Sequence, residues 1–464
     1  MPIKNQETDS QSKPESYTIN TFFREVVDNF FSHTFLNFCF FSFLVSISFL
    51  IRWSVIEHTG SDYNNFLSPW FDYIAVNGNF AALKDEFSNY NPPYLYLLTG
   101  AVYAVNSLGF LGLTKIMAIK LISIFFDYFL AFWVYKVVSY FVQSQKLEGE
   151  ETSNINLQPK SAETKSSIEP YSKTNIIENL TTKLPWIAFF TILFSPNVIF
   201  NSSIWAQSDA IYVSFLIMGL YYLLRQKYWV LMICFGLALS IKLQAVFFLP
   251  VIIVLLLHRK LNILQLLIVP VTFILTLIPA LFAGRSWDSL IAIYQNQANT
   301  YNSLVMNAPT FYQWFGGFDY TMFYPFALLI GITVAVGISY LFWQKISFNS
   351  VNFWIHLGLL SSTAIPFFLP KMHERYFFLA DIMSIIYVFF VGFIILKRNT
   401  VKLKIRRFNR FWIAIVINLI SFFAYGPFIS GFSHFKLPDL SLYMLIVIVF
   451  IIAYSLQNLK ADQS

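Results

Sequence analysis

Residues 61–93 read SDYNNFLSPWFDYIAVNGNFAALKDEFSNYNPP. The stretch is polar, rich in amides and aromatics, and it carries carboxylates. It follows directly on an apolar run that starts near Thr34 and is long enough to cross a bilayer. An anchor or a scaffold has no need of such a loop. A carboxylate held at a membrane surface implies chemistry there, with partners supplied by the rest of the chain.

The surrounding composition agrees. Of the 464 residues, 57% are hydrophobic and 12% charged, against roughly 25% charged in soluble domains. The expected class is an all-α polytopic membrane protein. Its 53 Phe and 26 Tyr suit apolar filling and bilayer interfaces respectively. Cys39 and Cys234 both lie in apolar runs, so they read as buried small hydrophobes rather than a disulfide or a thiolate metal site. A polar segment, 1–33, precedes the first apolar run, which therefore reads as a span and not a cleavable signal.

A crossing helix needs roughly 20 residues for ~30 Å of hydrocarbon. Candidate spans start near Thr34, Lys115, Leu184, Ser208, Leu261, Met322, Val351, Phe377, Phe411 and Ser441. Two shorter runs, 229–241 and 245–257, flank Lys242-Leu243-Gln244. Sidedness follows from basic charge. The run 397–410 holds Lys397, Arg398, Lys402, Lys404, Arg406, Arg407 and Arg410 with no acid, so it belongs in the cytoplasm. Counting back places Lys345, His258-Arg259-Lys260, Arg225 and Lys227, and the Ser-, Thr-, Asn- and Glu-rich segment 142–183 inside as well. Parity then permits one crossing between Pro93 and Gln143. The run 115–141 is the cleaner span, so 94–113 is expected in or against the outer interface, with Lys115 and Lys120 on the outer side. The expected organisation is a cytoplasmic segment 1–33, then 34–141 with the first span, the catalytic external loop and the second span. A disordered cytoplasmic linker 142–183, a multi-span domain 184–457 and a cytoplasmic tail 458–464 complete it. About twelve spans result.

On this topology the polar motifs embedded in apolar sequence share the external side. They are 62–72, Asn89-Tyr90-Asn91-Pro92-Pro93, Trp205-Ala206-Gln207-Ser208-Asp209, Lys242-Leu243-Gln244, 307–314 and Lys371-Met372-His373-Glu374-Arg375-Tyr376. Each also has a plain structural reading. Asp62 fits a solvated loop acid, Asn91-Pro92-Pro93 a helix start, and Ser208-Asp209 a cap with a first-turn acid. Lys242 fits a snorkelling lysine. His373, Glu374 and Arg375 together fit either a structural ion pair or, more readily, an anion site. Asp127 reads as a satisfied core acid or as a partner for a neighbouring helix, and His356 as a packed span residue.

No His, Cys or Glu cluster has metal-site spacing, and no phosphate-binding glycine loop or nucleophilic serine motif occurs. No metal, cofactor or nucleic-acid partner is expected. A carboxylate, several cations and many aromatics suit group transfer from a lipid-linked phosphate. Such a leaving group needs Lys or Arg more than a proton donor, and the attacking hydroxyl needs one base.

The 205–209 motif, Lys242-Leu243-Gln244, 307–314 and His373-Glu374-Arg375-Tyr376 resemble the bacterial GT-C membrane glycosyltransferases related to the eukaryotic GPI second-mannose transferase. More remotely, the layout resembles the dolichyl-phosphate glucosyltransferases of N-glycan assembly. In those, an acid in the first external loop precedes a Tyr-Pro-Pro segment and a helix that stays outside. Asp62, Asn91-Pro92-Pro93 and 94–113 match that order, and Asp127 resembles an acid on the second span. The relatives often carry Gly where Ala206 stands and Pro where Leu243 stands. The resemblance implies a mannosyltransferase-like enzyme of a bacterial inner membrane, using a polyprenyl-phosphate sugar with inversion on the periplasmic side. It implies Asp62 as general base, with Asp72 as competitor, and His373, Arg375, Lys371 and Lys242 on the donor phosphate. Asp72, Asn91, Trp205, Gln207, Asp209, Gln244, Asn307, Tyr312 and Glu374 are the expected substrate-binding residues. The acceptor, whether lipid, glycan or protein, is left open. A transporter or flippase of lipid-linked sugars is the alternative, and it would need an internal repeat.

Overall fold

The computed structural model describes residues 33–155, 171–344, 350–397, 410–429, 431 and 434–461. Every regular element among the described residues is helical. That is what lipid demands of a chain with this composition, because a helix satisfies its own backbone polar groups. Eight of the helices are long and apolar enough to cross a membrane. A ninth candidate, Leu180–Leu193 with Pro196–Ile204, is bent by 46°. Ser195 is extended there and Pro196 opens the next helix, so the bend sits where proline interrupts the backbone ladder. Four shorter apolar helices, Asp209–Leu224, Tyr228–Ile241, Leu243–Leu257 and Trp412–Pro427, accompany them. The protein is a polytopic helical membrane protein.

By packing the chain divides into 1–51 and 52–464. The described part of the first unit is helix α1, His33–Ser54, up to Ile51. The second unit carries everything that follows. In it, α2 (Ser68–Val76) and α3 (Pro92–Leu108) form the loop region, and α4 (Lys115–Ile155) is the next long helix. Then come α5 (Tyr171–Leu193), α6 (Asp209–Leu224), α7 (Tyr228–Ile241), α8 (Leu249–Leu257) and α9 (Ile268–Phe282). The chain finishes with α10 (Trp287–Asn299), α11 (Tyr320–Trp343), α12 (Val351–Phe368), α13 (Phe378–Lys397), α14 (Trp412–Ile429) and α15 (Leu437–Ala461).

Close approach of α7 to its neighbours depends on small residues, as helix packing in lipid does. A Cβ on Gly236 would lie 2.8 Å from Thr272 Cβ and 3.0 Å from the Val269 carbonyl of α9. Asp127 of α4 is fully buried and meets Arg52 Nε at 3.0 Å and the Ser202 hydroxyl at 2.6 Å. It is therefore a partner for neighbouring elements. Lys120 donates to the His58 carbonyl at 2.6 Å, so its amine serves the chain just after α1. His356 is buried in α12 and bonds the Asn352 carbonyl at 2.8 Å.

Two expectations change. The segment 142–183, expected as a disordered linker, is helical at both ends, because α4 runs to Ile155 and α5 starts at Tyr171. Gln, Lys, Leu and Glu prolong α4, and these are good helix formers. Residues 156–170 lie outside the described residues. Cys39, expected to be buried, is exposed. The segment 1–33, expected to be cytoplasmic, falls outside the described residues except for His33. Most of the basic run, 398–409, and the end of the tail, 462–464, also fall outside them.

Candidate functional site

The Asp62 loop, the breaks between helices and the loop after α12 converge on a cavity of about 490 Å³. Local backbone rules explain why side chains are free to line it. Helix α7 stops at Lys242, whose φ of −145° and ψ of 139° are extended, and a 3-10 turn, Leu243–Phe248, follows before α8. Lys242 thus leaves the helical ladder and enters the wall. Lys371 takes a positive φ of 61°, which turns the chain after α12, and His373 is extended before the 3-10 turn Glu374–Phe377. His373, Glu374, Arg375 and Tyr376 are thereby gathered at the opening turn of the candidate span Glu374–Leu396.

Asp62 and Arg375 meet inside the cavity. Arg375 Nη1 lies 3.6 Å from Asp62 Oδ2, with the two side chains 16% and 23% exposed. The Gln207 amide also donates to Asp62 Oδ2, and Arg375 donates to Glu374 Oε1 at 3.2 Å. The Arg375 guanidinium sits 5.6 Å from the Trp205 ring centroid, within cation–π range.

The other cations are seated differently. Lys242 Nζ pairs with Asp209 Oδ1 at 2.7 Å and lies 5.5 Å from the Tyr90 ring. Lys371 Nζ donates to the Ala298 carbonyl at 2.7 Å, at the end of α10, and lies 4.7 and 4.4 Å from the rings of Tyr320 and Tyr324. A carbonyl and two ring faces hold Lys371 in place while leaving its charge to act on the cavity. His373 packs edgewise against Tyr301 and Tyr376. Burial, with Arg375 and Lys242 nearby, pushes its imidazole down to about 3, so it is neutral at ordinary pH. Among the described residues no three His, Cys, Asp or Glu side chains gather in metal-holding geometry.

Most residues expected from sequence share this wall: Asp62, Lys242, Lys371, His373 and Arg375, with Trp205, Gln207, Gln244, Asn307 and Glu374. Four of the expected substrate-binding residues do not line it. Asp72 is 60% exposed and pairs with Lys115 at 2.9 Å; it stands two residues beyond the cavity-lining Trp70 on α2, on the opposite face of that helix. Asn91 is fully buried and donates to the Tyr294 hydroxyl at 2.7 Å, bracing the start of α3 against α10. Its predecessors Asn89 and Tyr90 face the cavity instead. Tyr312 donates to the carbonyls of Ala327 and Phe368 at 3.1 and 3.0 Å, tying the 307–314 loop to α11 and α12. Asp209 is wholly buried and reaches the cavity only through Lys242.

Sequence reading missed the contribution of α10 and its exit, Gln297, Thr300 and Tyr301, and the aromatics Trp70 and Tyr324. A signal for the first existed. The amides Gln295, Asn296, Gln297 and Asn299 cluster at one end of a helix that buries Leu290 and Ile293. For Trp70 and Tyr324 there was none, since single aromatics in so aromatic a chain carry no position information.

No protein-family model matches the chain, and no curated protein matches its sequence.

Proposed function

We propose that the protein is an integral-membrane glycosyltransferase of GT-C type that moves a hexose from a polyprenyl-phosphate donor to an acceptor hydroxyl. The observation that carries this reading is the meeting of Asp62 with Arg375 in one cavity that also contains Lys242, Lys371 and His373. The acceptor oxygen attacks the anomeric carbon from the face opposite the phosphate. The carbon–oxygen bond to the phosphate breaks with inversion, the acceptor proton passes to Asp62, and polyprenyl phosphate leaves with the electron pair. Arg375, Lys371 and Lys242 offset charge growing on the phosphate, and His373 donates an N–H as a neutral imidazole. Trp70, Tyr90 and Tyr301 offer ring faces to a sugar. Leu328, Leu369 and Phe247 offer apolar surface to the first prenyl units.

The membrane layout belongs to the same reading. With α3 lying against the outer interface, the remaining apolar helices make about twelve crossings. The cavity then opens on the external face of a bacterial inner membrane. Mannose is the favoured sugar on resemblance. The test is transfer by purified protein against a panel of polyprenyl-phosphate sugars. The breaks at Lys242 and at 193–196 are also what a transporter of lipid-linked sugars would use. Transbilayer movement of the donor in liposomes, without transfer, would favour that second reading.

A further inference from the structure

Residues 205–209 hold three charged groups of the cavity at once. Trp205 faces the Arg375 guanidinium, Gln207 donates to Asp62, and Asp209 accepts from Lys242. All five residues of the turn are buried. Alternate side chains reach different charges because the backbone there is not helical. The π-helical turn Phe200–Ile204 closes with the Trp205 N–H donating to the Phe200 carbonyl at 2.9 Å. Ala206 then takes a φ of 61°, left-handed backbone that a non-glycine residue adopts only when its surroundings impose it. The Gln207 N–H donates to the Asn201 carbonyl at 2.7 Å, and the Asn201 side chain donates to Asp209 Oδ2 at 2.9 Å. One asparagine therefore fixes both the backbone under Gln207 and the carboxylate of Asp209. From the opposite side the fit is close, since a Cβ on Gly60 would lie 3.4 Å from Trp205 Cδ1.

We propose that 205–209 is a positioning bracket in which Gln207 orients Asp62 and Asp209 orients Lys242, as two separable acts. Its chemical use rests on the glycosyl-transfer reading, whereas its geometry does not. Gln207 and Arg375 both engage Oδ2 of Asp62, which reserves Oδ1 for the acceptor proton. Asp209 compensates a cation that would otherwise be costly to bury and keeps its amine over Tyr90. Each residue acts through the group it holds, so both are positioning residues.

The experiment labels full-length protein in detergent with a carbodiimide and amine for Asp62, and with an acylating reagent for Lys242, both read by peptide mass spectrometry. In Gln207→Met, labelling of Asp62 rises about tenfold, the scale of a lost hydrogen bond to a charged group, and Lys242 stays within about twofold. In Asp209→Asn the pattern reverses, and Asp209→Glu returns Lys242 close to wild type. Unchanged Asp62 labelling in Gln207→Met, or equal changes at both sites in both variants, overturns the bracket. Should Gln207→Met fail to fold, Gln207→Leu removes the donor in nearly the same volume, and it is read the same way. On the same preparations, Gln207→Met lowers kcat with donor KM unchanged, and Asp209→Asn raises donor KM. A wild type that transfers no sugar but keeps the labelling pattern removes the glycosyl-transfer reading and leaves the bracket standing.

Discussion

Arg375 Nη1 lies 3.6 Å from Asp62 Oδ2, which joins the loop after the first long helix to the turn that opens α13. At an effective dielectric of roughly 20, opposite charges about 4 Å apart attract by about 4 kcal/mol before desolvation is counted. A phosphate arriving beside Lys371 and His373 would compete for the same guanidinium. On the glycosyl-transfer proposal the pair is both a latch for the carboxylate and the anion site that such a phosphate would take.

Arg375→Ala tests which substrate that site serves. The KM for the polyprenyl-phosphate donor should rise at least about tenfold, as loss of a charge-assisted contact does, while the acceptor KM changes far less. Steady-state kinetics with each substrate varied separately decides it. A larger effect on the acceptor would move the phosphate away from Arg375.

Asp72→Asn should be nearly silent. Its carboxylate is 60% exposed and pairs with a Lys115 that is itself 30% exposed, and exposed pairs contribute about 0–1 kcal/mol. Transfer rate and melting temperature should both stay close to wild type. A loss of transfer approaching that of an Asp62 variant would make Asp72 the base.

Sequence located the charged residues better than it located their neighbours. Lys242, Lys371, His373 and Arg375 stood out because charge within or at the mouth of apolar sequence is expensive and demands a reason, and Asp62 because it opens a polar loop directly after an apolar span. Placing their motifs on one side of the membrane raised the expectation of a shared site, and the five side chains do line one cavity. The roles of Asp72, Asn91 and Tyr312 were not legible. Whether a polar side chain faces a cavity or a neighbouring helix depends on helix phase and tertiary partners, such as Lys115, Tyr294 and the Phe368 carbonyl, which lie far away in sequence. The helical ends of 142–183 were missed because composition reported polarity there and concealed helix propensity.

His373 gives a pH prediction. Its imidazole sits at about 3 in the folded protein, against about 6.5 when unfolded. Its contribution to stability is therefore intact above about pH 6.5 and is lost as pH falls from there toward about 3, where the unfolded chain binds the extra proton. Melting in detergent at pH 7 and pH 5 should show a smaller acid loss in His373→Gln than in wild type. Equal losses would mean that the ring is already protonated or freely solvated.

The buried pair Arg52–Asp127, with neither side chain exposed, should behave asymmetrically. Arg52→Met leaves an unpaired buried carboxylate and should cost about 3–5 kcal/mol, while Arg52→Met with Asp127→Leu should recover much of that loss. Thermal unfolding of the two variants checks it. A double variant as unstable as the single one would contradict the pairing.

The most direct measurement is sugar transfer by purified wild type and Asp62→Asn from a panel of polyprenyl-phosphate sugars. Wild type should transfer from at least one donor. Asp62→Asn should insert and purify normally yet lose about 10²–10⁴ in rate, the usual effect of removing a general base. Full transfer by Asp62→Asn, or none by wild type from any donor, would contradict the account.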